Sequence, residues 1–177
     1  LASAETITVK GNGGTDTANL SDSAGADAFN AWQGGAVLSG AGYLLQTEAF
    51  RYVYATANGN VGDSAVLEDS PGADNFTASP SAAFLTDGAA FYNKATAFKI
   101  VRAYSTAGAD VANLYGSAGA DAFTASPKTA TLTGSGFSNQ ANKFPSVTAN
   151  GSGGADTANL SDSPGARLYA RIQRQIA

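Results

Sequence analysis

The sequence predicts an all-β fold: a β-solenoid of short strands, parallel β-helix-like, finished by a short helical cap at the C-terminus. Three observations predict it. Segments beginning Gly14-Thr-Asp16, Gly62-Asp63, Gly108-Ala-Asp110 and Gly154-Ala-Asp156 recur along the 177-residue chain, with lead aspartates 47, 47 and 46 residues apart. A fixed period of this size marks a solenoid, a propeller or an array. Within each repeat the apolar residues alternate with period two, the pattern of half-buried strands. Gly, Asp, Ser, Asn and Pro fill the gaps, which is turn chemistry.

Taken in order, residues 1–15 read as the end of a preceding repeat, because Ile7 and Val9 stand before Asp16 as Val147 and Ala149 stand before Asp156. Repeat one covers 16–62, repeat two 63–109 and repeat three 110–155; residues 156–177 hold a partial repeat and the cap. The chain thus starts and stops within a repeat, as expected of a piece of a longer array. The first strand of each repeat carries Ala18-Asn-Leu20, Ala65-Val-Leu67, Ala112-Asn-Leu114 or Ala158-Asn-Leu160. The second carries Phe29, Phe76 or Phe123, the third Leu38, Leu85 or Leu132, and the fourth Val53, Val101 or Val147.

Between the third and fourth strands, Phe91, Ala95 and Phe98 are spaced i, i+4, i+7, as are Phe137, Ala141 and Phe144. That spacing predicts one or two turns of helix. If coils stack with equivalent residues in line, Leu20, Leu67, Leu114 and Leu160 form one internal ladder and Phe29, Phe76 and Phe123 another, at about two coils per repeat. Stability then resides in contacts between neighbours. In the last segment Leu168, Ile172 and Ile176 fall on one helical face and Arg167, Arg171 and Arg174 on another, an amphipathic cap. The alternative architecture is a small propeller, since four strands in such a repeat make one blade; propellers have four or more blades.

Composition excludes several chemistries. There is no Cys and no His, so thiolate nucleophiles, Ser–His triads and the usual zinc and haem sites are ruled out. Any metal would need oxygen ligands, which points to calcium or magnesium. Charged residues make up 14% and the formal net charge is −4, so no basic field exists for nucleic acid. No apolar run is long enough for a membrane span, and no signal peptide is evident.

Ten of the fourteen acids occupy three repeat columns: Asp16, Asp63, Asp110 and Asp156; Asp22, Asp69 and Asp162; Asp27, Asp74 and Asp121. A column is unlike a catalytic pair, so the chain is expected not to be an enzyme. One reading makes these residues Asx-turn corners that bond backbone amides. The other makes stacked carboxylates share a divalent cation that offsets their repulsion, with Asp16, Asp27, Asp63, Asp74, Asp110, Asp121 and Asp156 as the ligands. Other candidates are Trp32, which replaces Ser79 and Ser126, and Tyr52, Tyr54 and Tyr104, which are offset from the inward positions of their strand.

Two resemblances follow from these motifs. Gly11-Asn-Gly-Gly-Thr-Asp-Thr-Ala-Asn resembles the RTX calcium-binding nonapeptide at Gly11, Gly14, Asp16 and Ala18, as Gly151, Gly154, Asp156 and Ala158 do near the other end. This resemblance implies bound Ca2+. The whole repeat, with Asp-Thr-Ala-Asn-Leu-Ser-Asp-Ser-Ala-Gly-Ala-Asp-Ala-Phe and the Thr-Ala-Ser-Pro turn at 124–127, resembles the tandem units of large secreted bacterial surface proteins. That resemblance implies an extracellular or cell-surface location and a structural role. The expected function is a structural repeat module of a surface fibre or filament, associating end to end with itself or with neighbouring repeats. The alternative is a calcium-dependent adhesive or carbohydrate-binding module for surface glycans. A polysaccharide lyase or hydrolase ranks third, because no unique acid set accompanies Arg51 and Arg102.

Overall fold

The computed structural model describes residues 5–60, 62–162 and 171–173, the last three as backbone only. Every regular element among them is a strand. Strand β1 (Glu5–Lys10) precedes repeat one, which forms β2 (Thr17–Ser21), β3 (Ala28–Trp32), β4 (Gly35–Gly40), β5 (Tyr43–Glu48) and β6 (Tyr52–Thr56). Repeat two forms β7 (Ser64–Glu68), β8 (Asn75–Ala78), β9 (Ala82–Thr86), β10 (Tyr92–Thr96) and β11 (Ile100–Tyr104). Repeat three forms β12 (Val111–Tyr115), β13 (Ala122–Ser126), β14 (Thr129–Gly134), β15 (Phe137–Asn142) and β16 (Ser146–Asn150). The chain continues into β17 (Thr157–Leu160) and β18 (Arg171–Gln173).

These strands build a β-solenoid of two long sheets, ten-stranded and eight-stranded, rather than the separate blades of a propeller. In each repeat the middle three strands form an antiparallel meander, as in β3–β4–β5, while the first and last pair in parallel with strands of other coils. Runs such as β3–β7–β11–β15 in one sheet and β8–β12–β16 in the other carry the parallel stacking. The period-two reading holds: in β7, Ala65 and Leu67 point into the core and Ser64 and Val66 outward.

The middle three strands of each repeat share one sheet, so the chain changes sheet three times per repeat and equivalent strands fall alternately in the two sheets: β2 and β12 in one, β7 and β17 in the other. The expected Leu and Phe ladders therefore do not form. Leu67 lies between Ala31 and Ala103, and Leu114 between Ala78 and Ala149. Phe29 stands beside Ala65, and Phe76 beside Ala112. At these four places a large side chain lies beside an alanine of the next coil, which lets an alanine-rich chain fill its core without overpacking. Phe98 and Phe144, from the turns into β11 and β16, meet Phe29 and Phe76 at ring separations of 5.9 Å.

The helix expected around 91–98 and 137–144 is instead a strand in each case, β10 and β15. Phe91, Asn93 and Ala95 are all buried, so the true period is two; a polar residue at the middle inward place hid it. Asn93 donates through Nδ2 to the Trp32 carbonyl at 3.0 Å, and Asn139 likewise to Ser79 at 2.9 Å. A hydrogen-bonded amide can occupy the core where an unpaired one would be costly. After these strands the backbone turns through a left-handed residue at the same place in three repeats: Ala49, Ala97 and Lys143, with φ of 60°, 63° and 62°.

The helical cap is not seen. Arg171–Gln173 pairs as a strand, parallel to β16, where the unpaired edge of the sheet offers backbone partners; residues 163–170 and 174–177 of the expected cap lie outside the described residues. No helix among the described residues is long and apolar enough to cross a membrane.

Candidate functional site

The aspartate columns meet at the corners where the chain passes from the first to the second strand of a repeat. Each corner turns through Ser-x-Gly-Ala-Asp. The Asp27 carboxylate accepts the Ser23 N–H at 3.2 Å and the Ser23 hydroxyl at 3.1 Å. Asp74 does the same with Ser70, and Asp121 with Ser117. The serine hydroxyl accepts in turn from the glycine N–H two residues on. The third-column aspartates are thus corner residues that hold a turn closed, and all three are buried.

The lead aspartates join one coil to the next. Asp63 Oδ1 accepts the Asp27 N–H at 3.1 Å, Asp110 Oδ1 the Asp74 N–H at 2.8 Å, and Asp156 Oδ1 the Asp121 N–H at 3.0 Å. The first two of these bonds bridge 36 residues. The second-column Asp22 accepts the Asn58 N–H at 2.9 Å, and Asp69 accepts the Thr106 N–H and hydroxyl at 2.8 and 2.7 Å.

Of the seven aspartates expected to hold metal, the structure brings six together in pairs: Asp27 with Asp63, Asp74 with Asp110, and Asp121 with Asp156. Asp16 makes no such bond among the described residues. Two residues outside that expected set complete the picture. Asp22 joins Asp27 and Asp63, and Asp69 joins Asp74 and Asp110, in triads whose carboxylate oxygens lie within 4.8 Å of one another. At the third corner Gly116 replaces the second-column acid. The signal for Asp22 and Asp69 was present in the repeat; the coil step that seats them beside their partners was not.

Three acidic groups in so small a space repel one another, and burial adds to the cost of charging them. Burial pushes Asp69 and Asp74 above the ordinary 3.8, with the Asp110 charge adding to the rise. Asp22 is raised by burial and by the charges of Asp63 and Asp27. Burial works in the same direction on Asp87, yet the N–H groups of Ala89, Phe91 and Ala90 outweigh it and hold that carboxyl below the usual range. The Tyr43 hydroxyl, which donates to Asp27 Oδ1 at 2.8 Å, is pushed up to about 12 by burial and by that bond.

The consequence for stability has a definite sign. Asp22, Asp69 and Asp74 bind their protons more tightly in the folded state than in the unfolded chain. Their stabilising contribution is complete below 3.8 and is lost as the pH rises through their raised values. Asp87 acts oppositely, contributing above 3.8 and losing that contribution as the pH falls through its lowered value. Three groups against one predict that, in EDTA, the melting temperature rises as the buffer is taken from neutral into the mildly acidic range. Melts followed by circular dichroism check this; a steady fall over that range would contradict the reading of the corners.

The aromatic candidates have different settings. The Trp32 ring lies over its own hairpin, so close to Gly35 that a Cβ there would stand 2.9 Å from Nε1. Tyr52 and Tyr54 face outward from β6 and, with Tyr92 and Phe84, make a continuous aromatic row with centroids 5.1–6.4 Å apart. The Arg51 guanidinium sits 5.2 Å from the Tyr52 ring centre. Tyr104 is exposed on the other sheet. No protein-family model, no curated protein and no solved structure matches this chain.

Proposed function

We propose that the chain is a structural repeat module of an extracellular or cell-surface fibre, associating through its ends with further copies of the same repeat. The observation that carries this reading is the state of the inward positions at the two ends of the described stack. Ile7 and Val9 on β1 are 45% and 49% exposed, whereas Val101 and Ala103 at the equivalent places are 2% and 0% exposed. Leu160 on β17 is 48% exposed, against 1% for Leu114. Among the described residues β1, β2 and β17 pair on one side only, so each presents a row of backbone donors and acceptors in register for another strand. A further repeat is the partner whose side chains fit those positions.

Sedimentation velocity over a concentration series tests the reading. Association that grows with concentration, and is lost in an Ile7→Lys/Val9→Lys variant with an unchanged circular dichroism spectrum, is expected. A wild-type chain that stays monomeric up to its solubility limit would remove the proposal. A second reading, a calcium-dependent adhesive or glycan-binding module, draws support from the outward row of Tyr52, Tyr54, Tyr92 and Phe84, because sugar rings stack on such faces. Glycan binding lost in Tyr54→Ala supports it.

A further inference from the structure

We infer that the corner formed by Asp22, Asp27 and Asp63 is a divalent-cation site, and that the corresponding corner one repeat on is closed to the cation by a hydroxyl group. The inference concerns a single chain and does not depend on the fibre reading. The two corners share three carboxylates with oxygens within 4.8 Å of one another. The Tyr43 hydroxyl donates to Asp27 Oδ1 at the first, where Phe91 stands at the second, and the Thr106 hydroxyl donates to Asp69 at the second, where Asn58 stands at the first; at the buried lead aspartate the difference is one side chain. At the second corner the Ser105 hydroxyl donates to Asp110 Oδ2 at 2.7 Å. At the first corner the equivalent residue is Ala57, which has no hydroxyl. Asp63 is fully buried, and its Oδ2 has no hydrogen-bond partner, while Oδ1 is taken by the Asp27 N–H.

A carboxylate oxygen buried without a donor is costly, and here two further carboxylates stand beside it. The group that satisfies all of them is positive and accepts oxygen ligands. Calcium fits better than magnesium, because it takes irregular oxygen sets whereas magnesium demands a near-ideal octahedron. The corner is also clasped from the next coil. Asn58 donates its N–H to Asp22 and its side-chain amide to the Ser23 carbonyl, and Asn60 Nδ2 donates to the Ala24 carbonyl at 2.8 Å. These bonds fix Asp22 and the turn that leads to Asp27, and the Asp27 N–H fixes Asp63, before any cation arrives. Asp16 also has a buried, unpartnered Oδ2, but among the described residues no second and third acid stand with it in a triad.

The test is isothermal titration of the full chain with calcium chloride and, separately, magnesium chloride, for the wild type and three variants. One calcium per chain is expected, with weaker magnesium binding. Asp22→Asn is expected to weaken calcium at least about tenfold by removing a charged ligand. Ala57→Ser, which gives Asp63 Oδ2 the donor that Asp110 already has, should weaken it similarly. Ser105→Ala should open a second site. The wild-type melting temperature should rise by about 5–10 °C at a hundredfold excess of calcium over Kd, and this rise should vanish in Ala57→Ser. No wild-type binding at millimolar calcium overturns the inference. So does binding that is unchanged in both Asp22→Asn and Ala57→Ser, or two equal sites in the wild type. A melting temperature that responds to acid and not to calcium assigns the pocket to a proton, and overturns it as well.

Discussion

Phe76→Ala is expected to destabilise the protein by about 3–5 kcal/mol, a fall in melting temperature of about 6–20 °C for a chain of this length. Phe76 on β8 is fully buried, faces Leu85 across the meander and lies beside Ala112 on the next coil. Its ring is 5.9 Å from that of Phe144. Little can move into the space it leaves, because Ala112 is short and both it and Leu85 are fixed on strands. Phe76→Leu, which fills most of the volume, should cost much less. Urea titration measures both; a Phe76→Ala change below about 1 kcal/mol would show that the ring does not fill the core in this way.

Gly108→Ala should cost about 2–4 kcal/mol, by the strain of its backbone conformation together with overpacking. Gly108 has φ near 127°, which L side chains rarely adopt, and a Cβ there would stand 1.8 Å from the Gly72 carbonyl oxygen. That contact is backbone against backbone, so no side chain can swing aside. It lies two residues before Asp110, whose Oδ1 accepts the Asp74 N–H. Pushing the coils apart at this place therefore also strains the bond that ties them. Melts of Gly108→Ala beside Gly88→Ala check the claim: Gly88 also has positive φ but has open space at its Cβ, so the larger loss belongs to Gly108. Equal losses would mean that backbone strain alone matters and that the coils are not in close contact there.

The strands were legible in the sequence because alternation is local. Ala65 and Leu67, or Phe123 and Ala125, announce which way each strand faces without any knowledge of its neighbours. The repeat announced the solenoid for the same reason. What lay beyond reach depended on counting strands correctly. Asn93 and Asn139 hid one strand in repeats two and three by placing an amide at an inward position, where its partner is a carbonyl about sixty residues away. With four strands that each changed sheet, equivalent residues would stack; with the middle three sharing a sheet the chain changes sheet three times per repeat, and equivalent residues alternate. The ladders and the helical turn both failed on that one strand. The Gly-Ala-Asp motif was legible as a recurring unit, yet its Asp meets the corner of the preceding repeat, 36 residues back, rather than its own copy 47 residues away.

The stacking step is therefore the claim to test most directly, by paired cysteines in a chain that has none of its own. Thr77 and Asn113 are register partners on adjacent parallel strands β8 and β12, a separation that suits a disulfide. Thr77 and Thr124 are equivalent residues of successive repeats but lie in different sheets, on β8 and β13. Under mild oxidation Thr77→Cys/Asn113→Cys should cross-link within the chain, and Thr77→Cys/Thr124→Cys should stay reduced. A cross-link in the second pair and none in the first would mean that repeats stack in line, and the two-sheet arrangement would be wrong.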